Sequence, residues 1–330
     1  MSSATPAVPR LSATRRVTDR IGDRVLLGLT VGASVVAIAV LVLIVYKLVA
    51  GASGSISKFG LAFLWHSTWN TSTSPGVRDA NVFGAGTLVF GTIVTSGLAL
   101  LFAVPLGIGI GVYLSLLAPG RVSAVVGPLV ELLAAVPSVI IGLWGIIVLA
   151  PFMRSTIQPA LHDALGWIPI FGAPSTTGLG IFTASIALGL MVLPIMSAVS
   201  RDLFLSVPRE LKDGALALGM TRWEMIRGVV LDSSRAGLAA ATILGLSRAL
   251  GEAIAVTQLI ESGSSINANL FGPGDTLASR IPEQFLGSTG LWNSSLFYCA
   301  VILLVMELAV NLAAQLIVRR FERRVGLAVR

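Results

Sequence analysis

Charge is scarce in this chain: Asp, Glu, Lys and Arg make up 12% of its 330 residues, against about a quarter in ordinary soluble domains. Cysteine is nearly absent. The single Cys299 lies in an apolar run with no second cysteine to pair with, which excludes a disulfide framework and a cysteine-based metal site. Histidine is almost as rare. His66 and His162 are the only two, far apart in sequence, and no metal-ligand spacing accompanies either. Neither a nucleophile constellation nor a phosphate-cradling Gly-x-x-x-x-Gly-Lys-Ser/Thr run occurs, so the chain offers no catalytic machinery and any ATP it depends on must be hydrolysed by another polypeptide. No cofactor is expected in the chain itself.

What is abundant is apolar. Hydrophobic residues make up 55% of the chain, and the mean hydropathy is +0.88, which together imply a membrane protein. A spanning helix needs about 20 mostly apolar residues, and six stretches qualify: Val25 to Val49, Phe83 to Leu117, Gly127 to Phe152, Gly178 to Leu203, Ser233 to Ile260 and Trp292 to Val318. Pro105 removes a backbone donor inside the second, so that run is expected to kink or split, leaving a short piece before Pro119. The glycines of "PLGIGIGVY" read as close-packing sites between helices. There is no convincing internal repeat, as paired halves of a secondary transporter would give.

The net charge of +7 is distributed unevenly between the spans. Seventeen of the 23 basic residues fall in the N-terminal tail, at Arg121, in the loop between the fourth and fifth runs, and in the C-terminal tail. Because cytoplasmic segments accumulate Lys and Arg, both termini are expected in the cytoplasm, in a plasma membrane, contacting lipid and not nucleic acid. Residues 1–23 are rich in Ser, Ala, Thr, Pro and Arg and are expected to be a disordered cytoplasmic tail. Arg15-Arg16 does not make a twin-arginine signal, since the apolar run that follows is longer than a signal-peptide core and five more come after it. Residues 24–321 form the membrane domain and 322–330 a second tail.

Two polar features stand out. The loop 206–234, "SVPRELKDGALALGMTRWEMIRGVVLDSS", shows helical spacing of Leu211, Ala215 and Leu218, then of Trp223, Ile226 and Val230, with Gly219 between. It reads as helix, tight turn, helix, or else as a solvated basic loop. The other feature is Arg248 with Glu252 in the middle of the fifth run. A charge there costs roughly 2.5–3.5 kcal/mol on insertion scales, so both groups should face the bundle interior or an aqueous path. Spacing of four permits an ion pair that locks helices together. It equally permits a route for an anion, whose oxygens suit the forked donors of a guanidinium. Ser138, after Pro137, could donate to an anion too, though a serine in a span more often bonds its own backbone. Glu131 and Glu307, near span ends, are expected to make interfacial or inter-helical pairings.

The loop resembles the cytoplasmic signature of ABC-importer permeases, with Asp213-Gly214-Ala215 as its opening triplet, Gly219 at the matching spacing and Val229-x-Leu231-Asp232 at its end. Asp stands for Glu, Gly214 for Ala and Asp232 for Pro; Asp232-Ser233-Ser234 could cap a following helix. "GLSRALGEAIAVTQL" and "LLAAVPSVIIGLWG" are similar to the fifth- and third-span segments of permeases in phosphate-specific (Pst-type) ABC importers, of the C-type subunit. The resemblance covers most of the chain from about residue 80 onward. It implies an all-α polytopic fold of six transmembrane helices, the type I permease fold, and import of inorganic phosphate, with sulfate import or secondary anion transport as alternatives. The partners it implies are a related A-type permease, two copies of a cytoplasmic ATPase that binds ATP-Mg, and an extracytoplasmic phosphate-binding protein. It places Arg248, Glu252 and Ser138 on the substrate pathway, and Asp213, Gly214, Ala215, Gly219 and Leu231 at the ATPase contact.

Overall fold

The structure, a computed structural model, describes residues 13–71, 82–263 and 266–328; Arg10, Arg78 and Arg330 of the charge distribution lie outside them. Among the described residues six helices are long and apolar enough to cross a membrane: Gly22–Leu64, Gly86–Leu117, Ser138–Leu165, Ile181–Ser206, Arg222–Gly251 and Gly290–Val318. There is no strand among those residues, only an isolated bridge between Trp69 and Phe83. Two compact units make up the chain, residues 1–50 and 51–330.

The first unit is helical from Ala13, in helix α1 (Ala13–Phe59). Residues 13–23, expected to be disordered, thus belong to the helix, which continues the first span backward; residues 1–12 lie outside the described set. From Val25 to Val49 the large apolar side chains are open to the surroundings, as a lipid-facing surface requires. Thr30 and Ser34 return their hydroxyls to the carbonyls of Leu26 and Thr30, both at 2.8 Å, so neither leaves a bare donor in hydrocarbon.

In the second unit, residues 51–59 lie against α10 (Gly290–Ala328) through a serine seam. Ser55 Oγ is 2.6 Å from Ser295 Oγ, and Ser294 Oγ donates to the Gly51 carbonyl at 2.8 Å. At about 0.6 kcal/mol per interhelical bond this seam orients the helices more than it holds them. The central pair is α2 (Gly86–Leu117) and α5 (Ile181–Ser206). Ala99, Ala103, Gly107 and Gly111 recur every four residues and are all buried. A methyl group placed on Gly107 would stand 2.6 Å from Met196 Cβ, and one on Gly111 2.7 Å from Ser200 Cβ, so the backbones approach as closely as small residues allow. Gly109, on the other face, has open space.

Three expectations about continuity are corrected. Pro105 does not split the second run: α2 remains helical through Val112 and closes with a π turn at Tyr113–Leu117, because a proline is tolerated in a span where neighbouring groups and local π adjustments absorb the loss. The third run does break. Helix α3 (Gly120–Ala134) ends before Val136-Pro137, and α4 (Ser138–Leu165) begins at Ser138 with Pro137 as its N-cap residue, since proline disfavours helix in the residue before it and has no N–H to give. The fifth run also breaks. Helix α7 (Arg222–Gly251) stops at Glu252, whose backbone is extended at φ −73°, ψ 112°, and the short α8 (Ile254–Leu259) follows.

α3 lies against α5, where Arg201 Nη1 meets Glu131 Oε1 at 3.0 Å, the interhelical pairing expected for Glu131. At the far end, the N-terminus of α5 is tied to α8 and the loop after it: Gly180 N donates to Leu259 O at 3.1 Å and Phe182 N to Leu270 O at 2.9 Å. Phe182 and Phe271 close this end edge to face, 5.6 Å apart. The opposite end of α5 leads through Pro208 into α6 (Arg209–Ala217).

Candidate functional site

The structure sets the expected residues at two levels. The first is the break after α7. Ala241, Gly245 and Ala249 are buried, and Gly245 packs on Val192 of α5, so this stripe of α7 faces the core. Ser247 donates to Asn311 Oδ1 of α10 at 3.0 Å. Arg248 falls between the core stripe and the open stripe that carries Leu244, and is half-buried.

Glu252 does not sit on one helix face with Arg248, because the helix has ended before it. Among the described residues Arg248 makes no ion pair, and its buried Nε has no hydrogen-bond partner. Glu307 of α10 forms no ion pair there either, contrary to expectation; its Oε1 comes against Gly251, 2.9 Å from where a methyl group would stand. Neither carboxylate is ion-paired to Arg248 among the described residues.

α4 runs beside α8 in parallel. Gly142 stands opposite Ala255 and Gln258, and Gly145 opposite Leu259. Ser138 is the first residue of α4, one turn before Gly142, and its half-buried hydroxyl has no hydrogen-bond partner among the described residues. One helix end, at Gly251, and one helix start, at Ile254, thus fall inside the fifth apolar run, and irregular backbone at membrane depth is tolerated only inside protein or along a water-filled cavity.

The second level is the loop after α5. It is built as helix, turn, helix. α6 ends in a Schellman motif: Gly219, at φ +87°, donates to Leu216 O at 3.0 Å, and Met220 N donates to Ala215 O at 3.2 Å. Helix α7 then starts from a capping box, with Thr221 Oγ1 accepting from Glu224 N at 3.3 Å while Glu224 Oε2 accepts from Thr221 N at 2.8 Å. Thr-x-x-Glu ahead of an apolar run is a sequence signature of that start. The cap therefore belongs to Thr221, and Asp232-Ser233-Ser234, expected to cap the helix, lies well inside it: α7 runs on through a π turn at Ile226–Val230, and Asp232 instead pairs with Arg235.

Ala215 is buried with Phe204, Val207, Met225, Ile226 and Val230, and Leu231 packs against this cluster half-buried. Asp213, Gly214 and Gly219 are exposed. Lys212 Nζ donates to the Phe204 carbonyl at 2.8 Å, closing the end of α5 onto α6. Burial, then the neighbouring Arg209 charge, lowers the Lys212 ammonium below its ordinary range. The exposed rim carries Leu211, Leu218, Met220 and Trp223, with Leu218 86% exposed. Exposed apolar side chains grouped in this way suit association with a partner.

A third cluster has no sequence signal beyond isolated charges. At the end of the second unit away from α6, Asp275 is buried and bound to Arg280 of α9 (Leu277–Gln284). Ser262 Oγ links Asp275 Oδ1 at 3.4 Å to Glu283 Oε1 at 2.8 Å, and Gly263 N donates to Asp275 Oδ2 at 3.3 Å. Arg280 also lies over the Trp69 ring at 5.7 Å. Burial pushes the Asp275 carboxyl from 3.8 up to about 7 against the pull of Arg280. Since the folded value lies above the unfolded one, the carboxyl's contribution to stability is full below about pH 4 and is lost as pH rises through about 7. Thermal unfolding of the purified chain should therefore show a lower midpoint at pH 8 than at pH 5, and Asp275→Asn should reduce that difference; an identical pH response in both proteins would contradict the assignment.

Residues 103–327 match the family described as "Binding-protein-dependent transport system inner membrane component". Over 334 residues the chain is 36% identical to the phosphate transport system permease protein PstC of Mesorhizobium japonicum, covering 99% of this chain and all of that one. It is 39% identical over 285 residues to the protein of the same name from Pasteurella multocida, covering 85% and 86%. A chain in the crystal structure of a bacterial alginate ABC transporter, 18% identical, superposes with a TM-score of 0.59 over 92% of this chain and 96% of that one, which shows the shared fold: six membrane helices in the type I arrangement. With the helix–turn–helix loop and the interrupted fifth span in place, the chain belongs to the binding-protein-dependent transport system inner membrane components, the multi-pass permeases of ABC importers.

Proposed function

We propose that the chain is one half of a membrane pathway that carries inorganic phosphate into the cytoplasm. The observation that carries the reading is Arg248: a guanidinium within a membrane-spanning helix, with no ion pair among the described residues and the buried Nε unpartnered. A guanidinium is too costly to leave so in hydrocarbon, and an oxyanion that accepts from its fork offsets that cost. Glu252, four residues on, keeps the local potential from holding the anion too tightly. Ser138 adds a neutral donor to the route. The name of the relatives, a phosphate transport system permease, favours phosphate over other oxyanions.

The other half of the pathway is a related A-type permease, set against the open stripe of α7. Two cytoplasmic ATPase subunits bind ATP-Mg and dock on the α6 turn, and an extracytoplasmic protein delivers phosphate at the end that carries Asp275 and Arg280. Both termini and the α6 turn face the cytoplasm, in keeping with the positive charge there. The chain itself needs no cofactor. ATP-driven closure of the ATPases moves α6; its cluster with Phe204, Met225 and Val230 passes that movement to the ends of α5 and α7.

Radiolabelled uptake in a strain lacking this chain tests the substrate. Re-expression should restore phosphate uptake and leave sulfate uptake unchanged. Restoration of sulfate uptake alone would reassign the substrate, and phosphate uptake that persists without the ATPase while a proton gradient is maintained would make the chain a secondary transporter.

A further inference from the structure

The loop has a second side, turned toward the membrane. Beneath α6 lies a cavity of about 390 Å³ whose rim carries Arg209, Lys212 and Arg222 against a single carboxylate, Asp213. None of the three cations makes an ion pair among the described residues. Arg209 and Arg222 are also the first residues of α6 and of the helix after the turn, where the helix dipole makes a cation unfavourable and an anion favourable. Lys212 spends one N–H on Phe204 and keeps its others. The charge here is therefore only partly compensated, by Asp213, in contrast to Arg201 paired with Glu131 or Arg235 with Asp232.

The opposite wall is apolar. Leu117 from the last turn of α2, Leu205 from the last turn of α5 and Leu216 from α6 line it, and all three remain exposed. Span ends meet the water at headgroup depth, and basic pockets between membrane helices recognise phosphate-bearing headgroups there.

We propose that this cavity binds a phosphate-bearing anion at the membrane surface, at a site separate from the route through Arg248. A phospholipid would place its phosphodiester among the three cations and its glycerol end along the leucines; free inorganic phosphate would use the cations alone. Either occupant would link α6 to the ends of α2 and α5, and so set how firmly the docking turn is held.

The test uses the full chain assembled with its partner subunits in nanodiscs. In phosphatidylcholine discs doped with phosphatidylglycerol, native mass spectrometry reads lipid retained after delipidation. In pure phosphatidylcholine discs, equilibrium dialysis reads bound radiolabelled inorganic phosphate. Arg209→Gln with Arg222→Gln should lower one of these affinities by about 30-fold, the ratio that two cations at ~1 kcal/mol each imply. Arg209→Lys with Arg222→Lys should retain most of it, which separates lost charge from a damaged turn. Loss of lipid retention identifies the occupant as lipid, and loss of phosphate binding identifies it as the free anion. Equal binding of both probes by the wild type and the Gln double variant, or no binding of either by the wild type, overturns the proposal.

Discussion

Arg248→Ala should lower phosphate uptake by about 100-fold while the permease still assembles and inserts. The size follows from the donors removed: a charge-assisted hydrogen bond contributes roughly 1.5–3 kcal/mol, and 1.4 kcal/mol is about a factor of ten, so two such bonds to an oxyanion in transit account for two decades or more. Assembly should survive because Arg248 is bound to no carboxylate among the described residues; removing it strands no buried partner. Arg248→Lys should give intermediate uptake, since an ammonium keeps the charge and loses the fork. Uptake assays on membranes with matched permease content decide it. Wild-type rates in the alanine variant would remove Arg248 from the route.

Gly219→Val should abolish co-purification of the ATPase subunit without unfolding the membrane domain. At φ +87° the position demands a left-handed backbone, which costs a side chain roughly 1–2 kcal/mol and is least tolerable for a β-branched residue. Space is not the obstacle, because nothing lies within 4 Å of a methyl group there. The strain is relieved by opening the Schellman turn, which displaces Leu218 and Met220 from the docking rim. Gly214→Ala makes the contrast. It too has open space, but it lies inside α6, where alanine stabilises a helix by about 1 kcal/mol relative to glycine, so binding should hold or strengthen. If Gly219→Val retained the ATPase and Gly214→Ala lost it, the turn would not be the coupling element.

Much of this architecture is legible in the sequence because local chemistry decides it. The helix–turn–helix at 206–234 follows from periodicity and one glycine, and the close packing at Gly107 and Gly111 from their spacing beside Ala99 and Ala103. Glu131 meets the interhelical partner that its position implies. The breaks are less legible. Pro105 and Pro137 carry the same backbone defect, yet α2 continues through the first while the third run stops at the second. The residue type is identical; the packing differs, with α2 supported along its length by α5.

The fifth span shows the same limit at the site itself. Spacing of four between Arg248 and Glu252 implies one helix face only if the helix continues, and nothing local to Gly251-Glu252-Ala253 requires that it end. Asp275 and Arg280 are visible in the sequence only as loop charges. Their burial comes from Ser262, Gly263 and Trp69, which the chain brings in from other positions.

By itself, then, the sequence determined that this chain crosses a membrane several times and which segments are basic. Those properties are sums over composition or patterns within a few residues, and hydrocarbon punishes violations of them individually. Tertiary structure alone decided which proline interrupts a helix, that Arg248 makes no ion pair among the described residues, and that three cations share a cavity under α6. Those are outcomes of long-range packing: whether a backbone break or a charge is stable depends on groups supplied from elsewhere in the chain, and no short stretch of sequence contains them.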